Sequence, residues 1–288
     1  MQHTPSRRPL ARRFLATAAV AGLVLAGCGS DGDDSSSSDG AKVTTTTEAP
    51  AEAPITILVS NDDGYEAAGI DALVSGLKSI EGVEVIVYAP LEEQSGTGGS
   101  ETDGAVEVTD VELDDGTPAK AVDGFPADTI RVAMDEDGIE PDLVITGINL
   151  GQNLGPVVDF SGTVGAARAA VARGVPALAT SSGLDAFDVE AGVPFVVEWV
   201  NENRAAIAAG RQPVAVWNMN FPSCDTGEIR GLLEVESGVD EPIGDALTSD
   251  QDCVSTVPEA ELTNDVVAFN QGFATLSDVP DEATETTE

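Results

Sequence analysis

The residues best suited to chemistry in this 288-residue chain are two adjacent carboxylates, Asp62 and Asp63, which follow the apolar run Ile57-Leu58-Val59 and precede Gly64. Two acids side by side with no basic neighbour repel one another, so ionised Asp62 and Asp63 call for a cation beside them. Taken alone, Asn61-Asp62-Asp63-Gly64 reads as a turn that caps the next helix. Three further polar, glycine-bearing turns shift the balance towards a site. The first is Ala89-Pro90-Leu91-Glu92-Glu93-Gln94-Ser95-Gly96, where Ser95 offers a hydroxyl and Gly96 allows close approach of backbone. The second, between Thr146 and Gly155, carries the amides of Asn149 and Asn153. In the third, Ser161-Gly162-Thr163 opens a helical stretch whose first N–H groups would form an anion site, a role compatible with Ser161 as a plain N-cap.

Composition narrows what such turns could do. The only histidine, His3, lies in the N-terminal leader, so His-based triads, histidine phosphatases and the common zinc sites are excluded from the mature chain. A net charge of −38 makes binding to a nucleic-acid polymer implausible. The same charge repels anionic substrates at long range, so a phosphate ester would need a cation in the site.

The leader fixes an expected compartment. Arg7, Arg8, Arg12 and Arg13 precede an apolar run from Phe14 to Ala26, the layout of a signal peptide and too short for the about 20 residues of a spanning helix. Leu25-Ala26-Gly27-Cys28 has the form of a bacterial lipobox, which predicts cleavage before Cys28 and its lipidation; the alternative is an ordinary secretory signal with an incidental cysteine. An exported, membrane-anchored surface lipoprotein is therefore expected, with residues 1–27 as leader and 28–53, rich in Ser, Thr and Asp, as a flexible tether. One folded domain is expected over 54–277 and a disordered acidic tail over 278–288. Cys224 and Cys253 remain as an even pair in an oxidising compartment, so a disulfide is predicted, stabilising by roughly 3 to 4 kcal/mol in the chain-entropy model.

These turns need strands and helices to position them. Apolar, β-rich runs predict buried strands over Ile55–Ser60, Val83–Ala89, Leu143–Thr146, Ala177–Thr180 and Val214–Met219. Apolar spacings of three and four predict helices over Ala67–Ile80, Pro126–Met134, Thr163–Arg173 and Phe187–Ala209. Alternation of this kind predicts an α/β fold, a mostly parallel Rossmann-like sheet with helices on both faces. Short alternating runs between Val106 and Val122, around Asp114-Asp115-Gly116, predict a hairpin on one edge. Ligands of an open α/β sheet bind beyond the carboxyl ends of its strands, where Asp62 and Asp63 fall.

At these residues the chain resembles the SurE family of metal-dependent nucleotidases and acid phosphatases. The resemblance runs through Ser60-Asn61-Asp62-Asp63-Gly64, Gln94-Ser95-Gly96, Val122-Asp123-Gly124-Phe125-Pro126-Ala127-Asp128 and Gly147-Ile148-Asn149-Leu150-Gly151. It continues through Ser161-Gly162-Thr163, Gly174-Val175-Pro176-Ala177, Asn218-Met219-Asn220-Phe221-Pro222 and the stretch from Asp265 to Ala274. It implies a SurE-like α/β core with a small β-rich extension, and a divalent metal, Mg²⁺ or Mn²⁺, held by Asp62, Asp63, Ser95 and Asn149. Asn153, Ser161, Gly162 and Thr163 would surround the phosphate. The implied reaction is hydrolysis of nucleoside monophosphates, 5′ or 3′, by a water activated at the metal, with Asp62 and Asp63 as catalytic residues.

The chain departs from the family where Tyr65-Glu66-Ala67-Ala68-Gly69 follows the carboxylates, since the family usually carries a histidine and a proline there. It departs again between Pro222 and Val257, where the family's extended arm is replaced by a short acidic segment carrying both cysteines, which leaves nucleobase recognition and a homodimer open. The rival reading is a non-catalytic surface lipoprotein that binds a phosphorylated or sugar ligand in the same crevice.

Overall fold

Burial along the first strand explains the architecture. In β1 (Ile55–Ser60), Ile57 and Val59 enter one apolar core and Leu58 enters another, as the period of two requires for a strand covered on both faces. The structure is a computed structural model that describes residues 53–184, 189–248 and 250–280. The leader, Cys28, almost all of the tether and the chain after Pro280 lie outside the described residues.

Helix α1 (Ala68–Lys78) buries Ile70, Leu73, Val74 and Leu77 against the first core, and its termini carry Asp71 in the first turn and Lys78 in the last, complementing the helix dipole. Burying each of these side chains contributes about 1.5 to 3 kcal/mol. β2 (Val83–Pro90) follows, then the hairpin of β3 (Val108–Glu112) and β4 (Pro118–Val122). Helix α2 (Pro126–Arg131) runs on into a π turn, Val132–Glu136. β5 (Leu143–Leu150), α3 (Gly162–Ala172), β6 (Ala177–Ser182) and α4 (Val193–Ile207) complete the parallel part. After β7 (Val216–Phe221) come β8 (Leu232–Glu234), the single turn α5 (Ile243–Ala246), α6 (Asp265–Asn270) and β9 (Ala274–Val279).

The nine strands form one sheet in the order β3-β4-β2-β1-β5-β6-β7-β9-β8. The five central strands are parallel, with Ile57 opposite Leu143 and Leu178 opposite Trp217, while β3 runs antiparallel to β4, and β9 runs antiparallel to β7 but parallel to β8. Helices α1 and α4 cover one face through the first core, and α2 and α3 cover the other through the second. The predicted edge hairpin is present, paired from Val108 opposite Val122 to Glu112 opposite Pro118.

Several boundaries differ from the sequence expectations, each for a physical reason. β5 continues through Gly147 and Asn149 to Leu150, past a register shift between Thr146 and Asn149 that the glycine-bearing sequence disguised as a turn. β7 begins at Val216, because Val214 is exposed, and extends through Asn218 and Asn220, whose polarity conceals a buried strand. α4 begins at Val193 with Pro194 in its first turn, where a missing N–H costs nothing, after a short 3₁₀ turn at Val189–Gly192; Phe187 lies outside the described residues. Asp278 and Val279, assigned to the tail, pair with Trp217 and Val216 at the end of β9.

Candidate metal and phosphate site

Strand β1 ends at Ser60, and the chain turns through Asn61 to Gly64, with Asn61 Nδ2 donating to the Gly64 carbonyl at 2.7 Å. The turn is clamped to the loop after β2, because Gln94 N donates to the Asp62 carbonyl at 2.7 Å and Tyr65 N to the Pro90 carbonyl at 3.0 Å. Asp62 is almost sealed from solvent, at 2 % exposure, and Asp63 is half-buried.

Each carboxylate is tied to a different element. Asp62 accepts a hydrogen bond from the Thr163 hydroxyl at the start of α3. Asp63 Oδ2 accepts from Leu150 N at 3.2 Å, at the end of β5. Gly162 makes the first arrangement feasible, since a Cβ there would stand 2.8 Å from Asp62 Cβ and force the helix terminus away. Gly165 has the same function one turn on, where a side chain would collide with the Gly98 carbonyl.

Burial pushes Asp62 above the usual carboxylate range, against the hydrogen bonds from Thr163. Burial, with the charge of Asp62 behind it, pushes Asp63 up to about 7. Glu93 adds to both effects, a contribution the sequence reading did not foresee. The two aspartates thus share a strand end within reach of the charge of Glu93, and among the described residues no Lys or Arg is bonded to either of them. A hard cation relieves that repulsion, and the donors present are all oxygens, which suits Mg²⁺ or Mn²⁺.

Among the described residues no group of three or more His, Cys, Asp or Glu is arranged to hold a metal, so further donors would have to be neutral oxygens. Asn149 fits that role. Its Nδ2 donates to the Gly151 carbonyl at 2.5 Å, which leaves Oδ1 for a cation, and its own carbonyl is fixed by Ser182 Oγ at 3.0 Å. Ser95 is held less directly: it is exposed, its N–H donates to Glu93 Oε1 at 2.7 Å, and it reaches the carboxylates through its neighbour Gln94.

The phosphate residues line up along one helix terminus and one loop. Ser161 caps α3, its Oγ accepting from Val164 N at 3.1 Å, and Thr163 turns both its hydroxyl and its main-chain N–H to Asp62, so the anion site predicted at this turn is reduced to the Gly162 N–H and the helix dipole. Asn153 is gripped by Asn218 and Asn220 of β7 and by Ser181 of β6. Its N–H donates to Asn220 Oδ1 at 2.8 Å and its carbonyl accepts from Asn218 Nδ2 at 2.6 Å and Asn220 Nδ2 at 3.2 Å. Its side chain donates to Ser181 Oγ at 2.8 Å. The signal for this network was in the sequence: two asparagines at a spacing of two in an otherwise apolar strand must share one face.

The altered arm abuts the same loop. Cys224 and Cys253 are joined in a disulfide with Cα atoms 5.7 Å apart, as expected. Within the segment they bracket, Ala246 and Thr248 accept from Gln152 Nε2 at 3.3 and 2.8 Å. Buried Asp265 accepts from Gly155 N at 3.2 Å and Gly238 N at 2.7 Å, which links the loop of Asn153 to the arm. Size alone does not identify the site, for two clefts of about 750 and 780 Å³ lie against the hairpin and beside α1, away from Asp62.

A family model described as survival protein SurE matches residues 57–240. A protein named 5′-nucleotidase SurE from Brevibacillus brevis is 39 % identical over 189 residues, covering 62 % of this chain and 70 % of that protein. Another of the same name from Desulfitobacterium hafniense is 33 % identical over 242 residues, covering 80 % of this chain and 92 % of the relative. The crystal structure of the SurE protein from Aquifex aeolicus superposes with a TM-score of 0.62 at 26 % identity, covering 80 % of this chain and 95 % of that one.

Proposed function

This chain belongs to the SurE family and is a phosphoric monoester hydrolase, and we propose that it releases phosphate from nucleoside monophosphates with a divalent cation, Mg²⁺ or Mn²⁺, held by Asp62, Asp63, Ser95 and Asn149. One observation carries the reading: a mutually repelling carboxylate pair, one member buried and the other half-buried, pinned to the start of α3 and the end of β5, with no basic side chain bonded to it among the described residues. When bound, the cation supplies a Lewis acid that offsets phosphoryl charge and lowers the pKa of water.

The remaining contributions belong to the chain itself. The Gly162 N–H at the start of α3 and the Ser161 turn would donate to the equatorial phosphoryl oxygens from fixed positions, while Thr163, bonded to Asp62, would hold that carboxylate beside them. Asn153 would add a side-chain amide held in place by Asn218, Asn220 and Ser181. Asp63, half-buried where Asp62 is sealed from solvent, is the better placed of the two to exchange a proton with water.

The test is phosphate release from adenosine 5′-monophosphate by the purified protein with Mn²⁺ or Mg²⁺, and again with EDTA. Turnover that EDTA abolishes supports the proposal; binding without turnover in every metal would return the non-catalytic reading, which the relatives do not favour. Export and lipid anchoring are part of the same proposal and rest on the leader and Cys28 alone. Metabolic labelling with a fatty acid checks them: the label should be lost in Cys28→Ala, and an unlabelled wild type refutes the anchor.

A further inference from the structure

Asn153 is held by two kinds of structure. Its own main chain and side chain bond to β6 and β7, strands fixed in the sheet. Its neighbours on either side are held instead by the acidic arm. Gln152, buried, donates from Nε2 to the Ala246 and Thr248 carbonyls at 3.3 and 2.8 Å. Its Oε1 is buried without a hydrogen-bond partner among the described residues, so the bonds that orient its amide are those two donations. Leu154, also buried, packs with Ala246, Val266 and Phe269 in a small core apart from the two that cover the sheet.

The arm has little regular structure with which to hold anything. Among the described residues between Cys224 and Cys253, a separation of 29, it amounts to the three residues of β8 and the single turn α5. A short run of bonds nevertheless leads from the cystine to Gln152. Ser223 N, next to Cys224, donates to Gln251 Oε1 at 3.0 Å, and Gln251 Nε2 donates at 3.0 Å to the same Thr248 carbonyl that receives Gln152. At the other end Cys253 is buried, and Asp252 N donates to the Asn270 carbonyl at 3.0 Å. Closing the loop with a covalent bond removes most of the arrangements in which the Ala246 and Thr248 carbonyls would leave Gln152.

We infer that Gln152 is a positioning residue, through which the disulfide-closed arm fixes the loop that presents the Asn153 amide to phosphate. The inference rests on the hydrolase reading, with Asn153 as a phosphate contact, and adds to it a residue and a covalent bond outside the carboxylate pair. Asp62 and Asp63 are tied to α3 and β5 and make no bond to the arm among the described residues. Disturbing Gln152 or the disulfide therefore weakens the hold on phosphate and leaves the hold on the cation.

The experiment measures, with Mn²⁺ and the full chain, the Kd for inorganic phosphate by calorimetry and the kcat/KM for adenosine 5′-monophosphate. Gln152→Met keeps size and neutrality but loses both donations. It should raise Kd and KM and lower kcat/KM by roughly 10- to 100-fold, while the rise in thermal midpoint that Mn²⁺ gives is kept. Dithiothreitol passes two electrons and two protons to the cystine and closes to its own cyclic disulfide; the reduced wild type should show the same losses, and reoxidation should reverse them. Cys224→Ser combined with Cys253→Ser should match the reduced protein and ignore the reagent. Because both lesions act along one path, reduction of the disulfide in Gln152→Met should add less than it costs the wild type. A Kd within about twofold of wild type in Gln152→Met, or two losses that multiply, overturns the inference. So does a Mn²⁺ response lost together with phosphate binding in both Gln152→Met and the reduced protein, which would report a general loosening of the fold. A wild type that binds phosphate and turns nothing over defeats the hydrolase reading, and Kd then decides the positioning by itself. A wild type that binds no phosphate overturns both.

Discussion

Asp62 and Asp128 are the same residue type under nearly the same burial, 2 % and 0 % exposed, and they behave in opposite ways. Burial disfavours ionisation of Asp128, but Arg131 Nη2 at 2.8 Å, Thr102 Oγ1 at 2.7 Å and Phe125 N at 2.9 Å outweigh it and hold the carboxyl below its usual range. Asp62 has Thr163 for a donor and Asp63 and Glu93 for neighbours, and its carboxyl is pushed up. A buried carboxylate whose counter-charge is built into the fold is a structural joint. One whose counter-charge has been left out is a place for a ligand.

The sharpest way to break that contrast is to neutralise each acid. Asp62→Asn keeps shape and should lower metal-dependent turnover by at least about 1000-fold, since it removes a charge from the cation's shell. It should not lower the thermal midpoint in EDTA, because it relieves repulsion with Asp63, and it should abolish the rise in midpoint that Mn²⁺ gives the wild type. A variant that still turns over, or still gains stability from Mn²⁺, ends the metal-site reading. Asp128→Ala should do the reverse. Arg131 keeps only the exposed Glu136, and the Thr102 and Phe125 donors lose their acceptor, which together cost about 3 to 5 kcal/mol, read as a lower urea midpoint, while Mn²⁺ should still stabilise whatever folds. A loss under about 1 kcal/mol would remove Asp128 from the class of structural joints.

How much of this was legible in the sequence depended on whether a feature was local. The parallel core, the edge hairpin and the position of Asp62 and Asp63 at a strand end followed from apolar periodicity and turn residues. The extension of β5 to Leu150 and of β7 to Phe221 did not, because Gly147, Asn218 and Asn220 look like loop residues until their long-range partners are known. The disulfide was legible from cysteine count and compartment, whereas the bonds from Gln152 and Asp265 that seat the arm against the Asn153 loop span 27 to 110 residues and carry no local mark. Glu93 was visible as a member of the Ser95 turn without a role of its own; the reach of its charge to both aspartates is a product of the fold.

Titration sharpens the comparison with a smaller effect. In the metal-free protein the folded state holds a proton on Asp63 up to about pH 7, whereas the unfolded chain releases it near its ordinary value of 3.8. The folded state then binds more protons throughout that window, so stability falls as pH rises through it. Asp128 has the opposite sign: its contribution is complete above the unfolded value of 3.8 and is lost only as pH falls below it. Urea midpoints in EDTA between pH 4.5 and 7.5 should decline with pH in the wild type and decline less steeply in Asp63→Asn, the remaining slope coming from Asp62 and Asp265, which burial also raises. A slope unchanged by the substitution would place its origin elsewhere.

The smallest effect tests whether a lowered pKa by itself marks a structural joint. Asp115, on the turn of the hairpin, is held down at about 2 by the Thr117 hydroxyl first and by Lys78 Nζ at 2.9 Å, yet its side chain is 46 % exposed. Water screens that pair and the long lysine side chain loses freedom to form it, so Asp115→Asn should cost less than about 1 kcal/mol, against several for Asp128. The loss should shrink further in concentrated salt, and it should vanish as pH falls from 3.8 towards 2, where the carboxyl protonates. A cost matching that of Asp128→Ala would mean that hydrogen-bond count, not burial, separates the joints of this fold from its surface. In that case the contrast between Asp62 and Asp128 would have to be redrawn on donors alone.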